Sequence, residues 1–154
     1  LITEELITEI ANKLLKETDR FITRLQVLTG NRIEIWIDGD SPVKIVDCVE
    51  LSRFIEGELN RDNEDFSLEV SSHGANAPLV MWRQYPKHIG RSFQLSLTDN
   101  SVVEGELAAL TKEELELTYT VREKKTVGKG KLTVHKSIKV PFNRIKESRI
   151  KLKF

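Results

Sequence analysis

Hydrophobic residues in this chain follow two periods, and the change falls on one short polar segment. Up to Val70, runs spaced by three and four residues alternate with runs spaced by two; beyond Gly90 only the alternating pattern continues. The segment Ser71-Ser72-His73-Gly74-Ala75-Asn76-Ala77-Pro78 lies between them and holds no large aliphatic side chain. A period of 3.6 buries a helix stripe, whereas a period of two buries one face of a sheet. The chain must therefore begin as helices layered on a sheet and continue as strands alone, an α+β class. Its 154 residues suffice for two small domains.

In the first half, Ile2, Leu6, Ile7, Ile10, Ala11, Leu14 and Leu15 predict an amphipathic helix over 3–18. Glu4 and Glu5 in its first turn and Lys13 and Lys16 toward its end suit the helix dipole. Phe21, Thr23, Leu25 and Val27 alternate as a strand, Gly30-Asn31 forms a hairpin turn, and Ile33, Ile35 and Ile37 return. Ile45, Cys48, Leu51, Ile55 and Leu59 predict a second helix over about 46–60. Phe66, Leu68 and Val70 then point inward from a third strand, with Ser67, Glu69 and Ser71 outward. The order is αββαβ. The long crossover requires strands two and three to run parallel with a right-handed connection, both helices covering one face. Trp36 falls opposite to Ile35 and Ile37, either on the open face as a partner anchor or beneath another part of the chain.

In the second half, Met81-Trp82-Arg83-Gln84-Tyr85-Pro86 fits one short helical turn. Five short strands follow: Phe93, Leu95 and Leu97; Val103, Gly105, Leu107 and Ala109; Leu115, Leu117, Tyr119 and Val121; Leu132, Val134, Ile138 and Val140; and Ile150, Leu152 and Phe154. Five strands in so short a span read as a small barrel, with Gly105 allowing a sharp bend. Arg122–Lys131 has the composition of a mobile hairpin tip. The expected division is an α/β domain over 1–77, a linker with a short helical turn over 78–90, and a barrel over 91–154.

Charge is divided along the same line. Residues 1–80 carry 8 Lys and Arg against 16 Asp and Glu; residues 81–154 carry 16 against 8. Such a chain can offer its acidic half to a basic protein and its basic half to a polyanion, although each half could equally be a solvated surface. Lys124, Lys125, Lys129 and Lys131 share the predicted tip, while Lys136, Lys139, Lys151 and Lys153 are expected at outward or edge positions. Small barrels with basic loops contact RNA backbone. Phe93 and Tyr119 lie on inward parity, so base stacking by strand aromatics is not supported and a charge-dominated contact fits better.

Enzymatic readings find little. Ser71, Ser72 and His73 suggest a Ser/His hydrolase, but sequence neighbours do not make a triad, and no G-x-S-x-G elbow is present. One cysteine, Cys48, excludes an intrachain disulfide and fits the apolar side of the second helix as a small hydrophobe. Three scattered histidines provide no zinc spacing, Asp38-Gly39-Asp40 reads as a turn, and Gly128-Lys129-Gly130-Lys131 lacks the setting of a phosphate loop. No catalytic residue, metal or cofactor is expected. No run of 18 apolar residues predicts a membrane helix, and Leu1–Glu5 does not read as a signal peptide.

Leu68-Glu69-Val70-Ser71-Ser72, with Gly74, Pro78 and Leu79, resembles the bacterial ribosome maturation factor RimP family. So do Asp47-Cys48-Val49-Glu50-Leu51-Ser52-Arg53, Gly90 before the first barrel strand, and Val140-Pro141-Phe142-Asn143-Arg144-Ile145 before the last. The resemblance covers the whole chain in order. His73 stands where the family has Pro, and Ala75, Asn76 and Ala77 replace a Leu-Asp-Arg triplet. The resemblance implies a KH-like α/β domain followed by a small SH3/Sm-like barrel. It further implies a cytoplasmic, monomeric, non-catalytic factor that binds the immature small ribosomal subunit, through its rRNA and a basic ribosomal protein. A general RNA-binding module not tied to ribosome assembly is the alternative.

Overall fold

A computed structural model describes residues 1–152, and the chain divides into two compact units, Leu1–Gly74 and Ala75 onward. In the first, helix α1 (Glu4–Leu15) leads into strands β1 (Arg20–Leu28) and β2 (Arg32–Gly39), helix α2 (Ile45–Glu58) and strand β3 (Ser67–Ser72). The Thr3 hydroxyl accepts from the Leu6 amide at 3.1 Å, capping α1 ahead of Glu4 and Glu5. At α2 the Asp47 carboxylate accepts from the Lys44 amide at 2.8 Å and pairs with the Arg20 guanidinium, tying the helix start to β1.

β2 is central, antiparallel to β1 and parallel to β3, as the αββαβ order requires. Gly30 and Asn31 turn the β1–β2 hairpin at φ of 81° and 54°, a left-handed conformation these two residue types tolerate best. Ile33, Ile35 and Ile37 are buried with Ile7, Ile10, Leu51 and Ile55 in one core between the helices and one sheet face. Ile45 does not join that stripe and is 85% exposed. Six residues ahead of Leu51, it lies about 120° round the helix from it.

The second unit begins with backbone fastened to its last strand. The Leu79 amide donates to Ser148 O at 2.8 Å, and the Arg149 guanidinium donates to Asn76 O at 2.9 Å. Two 3-10 turns, Trp82–Gln84 and Pro86–His88, follow; buried Gln84 accepts from the Val80 amide at 2.7 Å through Oε1. Five strands come next: β4 (Ser92–Leu97), β5 (Val102–Leu110), β6 (Glu114–Lys124), β7 (Lys131–Pro141) and β8 (Ile145–Ile150). Their order is β7-β6-β5-β4-β8, antiparallel throughout. Phe93, Leu95, Leu97, Leu107, Leu115, Leu117, Val140 and Ile150 form a second core, and Tyr85 stacks on Phe93 with ring centroids 5.9 Å apart. Gly105 is needed for close approach: a Cβ there would sit 2.8 Å from Thr118 O on β6. The fold is mixed α+β, with a five-stranded antiparallel sheet in the second unit.

Four sequence expectations change in this unit. Ala109 is exposed because the β5–β6 register shifts between Leu107 and Ala109, a bulge that reverses side-chain parity. The last strand is Ile145–Ile150, so Leu152 falls beyond it, and Phe154 and Lys153 lie outside the described residues. A buried Ser148 at an inward position, and a register shift at Ser96/Leu97, concealed that strand's alternation. Leu132 is 40% exposed, opposite Glu123 and beyond the core. Finally, the hairpin tip is shorter than 122–131: β6 and β7 stay paired as far as Lys124 and Lys131, and only 125–130 lie outside the strands.

Candidate nucleic-acid interface

The longest ladder in the protein is β6–β7, and only its base rests on the core. Leu115 pairs with Val140 and Leu117 with Ile138, all on the core side. β5 pairs with β6 no farther than Thr118, so beyond that point β6 and β7 continue as a two-stranded ribbon. Six residues of strand, Tyr119 to Lys124, carry it about 20 Å outward. Residues 119–136 hold six Lys and Arg against one Glu.

The ribbon's end concentrates the predicted lysines. Lys124 and Lys131 face each other across the ladder, while Lys125 and Lys129 lie in the connecting segment; all four are exposed. The Lys125 amide donates to Gly130 O at 3.2 Å, and Gly128 and Gly130 turn the segment at φ of 86° and 96°. Like charges opposite one another repel, so the Lys124–Lys131 pair is a position that an anion would relieve. Arg122 is braced from behind, donating to Thr133 Oγ1 at 3.0 Å. Lys136 differs from the tip lysines. Its ammonium meets Glu123 Oε1 at 2.9 Å, and that hydrogen bond and charge hold its pKa above the ordinary lysine range. Lys151 likewise meets Glu104 at 2.9 Å, and Lys139 is exposed opposite Glu116.

One basic and aromatic pairing lies off the strands, where neither periodicity nor motif marks it. Trp82 is half-buried on the first 3-10 turn, donating from Nε1 to Thr111 O at 2.9 Å, with the Lys112 ammonium 3.6 Å from its ring centroid. Only the fold joins these positions, 30 residues apart in sequence. Phe93 is buried and Tyr119 half-buried.

The connector residues are parted by strand geometry. Ser71 lies opposite Trp36 and Ser72 opposite Ile37, so their side chains leave β3 on different faces. His73 extends the ladder, its amide donating to Ile37 O at 2.8 Å, a bond that Pro at this position could not make. Its Nδ1 pairs with Thr23 Oγ1 at 2.9 Å, and its ring meets Trp36 edge-on at 5.5 Å. Arg24 covers the same indole at 5.0 Å, so Trp36 sits half-buried on the outer sheet face under two side chains. The His73 Nδ1 is thus engaged with Thr23. Gly74 ends the first unit, and Pro78 precedes the Leu79–Ser148 bond of the second. Among the described residues, no group of three or more His, Cys, Asp or Glu could hold a metal ion, and no helix is long and apolar enough to cross a membrane. Cys48 is half-buried, and loss of solvent raises its thiol pKa, which disfavours the reactive thiolate.

An exposed basic ribbon thus stands on one unit, and an excess of acidic residues on the other. Residues 10–76 match the RimP N-terminal domain family. The ribosome maturation factor RimP of Christiangramia forsetii is 41% identical over 98% of this chain and 99% of its own length. Those of Flavobacterium psychrophilum and Porphyromonas gingivalis are 37% and 34% identical, over 83% and 76% of this chain and 82% and 77% of their own lengths. The chain belongs to the RimP family.

Proposed function

We propose that this protein is a non-catalytic assembly factor for the small ribosomal subunit, working in the cytoplasm as a monomer. The β6–β7 ribbon contacts rRNA phosphates through Lys124, Lys125, Lys129 and Lys131, and the acidic first unit holds a basic ribosomal protein. The observation that carries the reading is the joint one of near full-length similarity to ribosome maturation factors and a charge division that follows the two units. Opposite fields on one chain suit a particle made of RNA and basic protein. In this reading the first unit is KH-like and the five strands curl as an SH3/Sm-like barrel about Gly105. Ser71, Ser72, Gly74 and Pro78 form the junction between a domain over 1–77 and a barrel over 91–154, with 78–90 linking them.

Cells lacking the chain are expected to accumulate small-subunit precursors with unprocessed rRNA, and the wild-type chain is expected to clear them. An unchanged subunit profile after its removal would contradict the proposal.

A further inference from the structure

The edge of β3 lies beside exposed apolar side chains at the start of α2. Among the described residues β3 pairs only with β2, at one side of a three-stranded sheet. The Ser67 amide donates to Asn31 O at 3.1 Å and the His73 amide to Ile37 O at 2.8 Å. Odd-numbered residues therefore face β2. The two-residue strand period aims the N–H and C=O groups of Leu68, Val70 and Ser72 away from it, along the free edge.

On the helix side of that edge, Val43, Ile45, Cys48, Val70 and Ser72 line a groove of about 250 Å³. Ile45 of that lining is 85% exposed, and Val46 and Val49 on the same first turns of α2 are 63% and 39% exposed. Three β-branched side chains left in water on one helix end mark a contact surface. On the other face of β3, Glu69 is exposed and pairs in register with Glu34 of β2. A strand added to this edge would alternate between the two environments, one apolar and one acidic.

We propose that the β3 edge accepts an extended segment of a basic protein as a fourth strand. Its apolar side chains seat against Ile45 and Val70, and its Lys or Arg side chains lie beside Glu69. Main-chain bonds to Leu68, Val70 and Ser72 supply affinity, and the alternation supplies specificity. The excess of 16 acidic over 8 basic residues in this half favours a cationic occupant. The proposal rests on the reading that the acidic unit holds a basic protein and gives that contact a surface and a binding mode.

The test uses the full chain with the total protein extracted from purified small ribosomal subunits. Binding is expected to slow hydrogen exchange at the Leu68, Val70 and Ser72 amides by about tenfold or more. Ser72→Pro removes an edge donor that β2 does not use, and Ile45→Glu places charge at the groove. Each is expected to weaken binding about tenfold or more while circular dichroism and melting temperature hold. Binding that persists through both substitutions, or without protection of those three amides, would overturn the strand-addition proposal and leave the basic-protein reading standing. No binding by the wild-type chain would remove both. Protection of the same amides without added protein, together with a dimer in sedimentation, would assign the edge to a second copy of this chain and refute the proposal.

Discussion

Replacing Lys124, Lys125, Lys129 and Lys131 together with Ala isolates the electrostatic contribution of the β6–β7 ribbon. All four side chains are exposed and lie at or beyond the last paired residues of the ladder, so the core does not depend on them. Removing the Lys124–Lys131 repulsion should leave the melting temperature equal to wild type or slightly higher. Each phosphate contact contributes about 0.7–0.9 to the slope of log affinity against log salt, so four contacts contribute about 3. Between about 50 and 200 mM salt, that slope corresponds to an affinity change of roughly 50- to 150-fold carried by these side chains. The assay is co-sedimentation with small ribosomal subunits across that salt range. The variant should bind more weakly at low salt and lose little more as salt rises. Lys136→Ala, which removes a lysine already paired with Glu123, should change the slope less than any single tip lysine. A quadruple variant with the wild-type salt slope would refute the ribbon as the RNA contact.

Gly105→Ala should destabilise the second unit by about 1–3 kcal/mol in thermal or denaturant unfolding, because the added Cβ meets Thr118 O at 2.8 Å and must push β5 from β6. Asp47→Ala should cost about 2–4 kcal/mol in the unfolding of the first unit, removing both the bond to the Lys44 amide and the partner of the largely buried Arg20. Tyr85 is buried, and loss of solvent raises its phenol pKa above the ordinary value of about 10. The folded chain therefore keeps a proton that the unfolded chain loses. Its contribution to stability is present below about pH 10 and lost as pH rises through the folded pKa. Thermal melts over pH 9–11 should show this decline, and Tyr85→Phe should flatten it.

Periodicity made the first unit legible. Three isoleucines at alternate positions on β2 and the stripes of both helices needed no information beyond their own spacing, and the crossover length required β2 and β3 to run parallel. Spacing misleads where a local feature breaks it. A bulge after Leu107 turned Ala109 outward, and a buried serine inside β8 hid that strand behind its charged neighbours. Ile45 looked like core because three-residue spacing links it to Cys48, yet the buried stripe is set by Leu51 and Ile55. The basic tip was visible as composition, but its projection as a ribbon depends on where β5 stops pairing with β6. Trp82 with Lys112, and the free edge of β3, arise from tertiary placement and carry no sequence signal.

Preference for an assembling small subunit is tested most directly by comparing the affinity of the full chain for immature small subunits, mature small subunits and an unrelated structured RNA at one fixed salt concentration. Binding is expected to be tightest to the immature particle. Equal affinity for all three would contradict it and identify the chain as a general RNA-binding module.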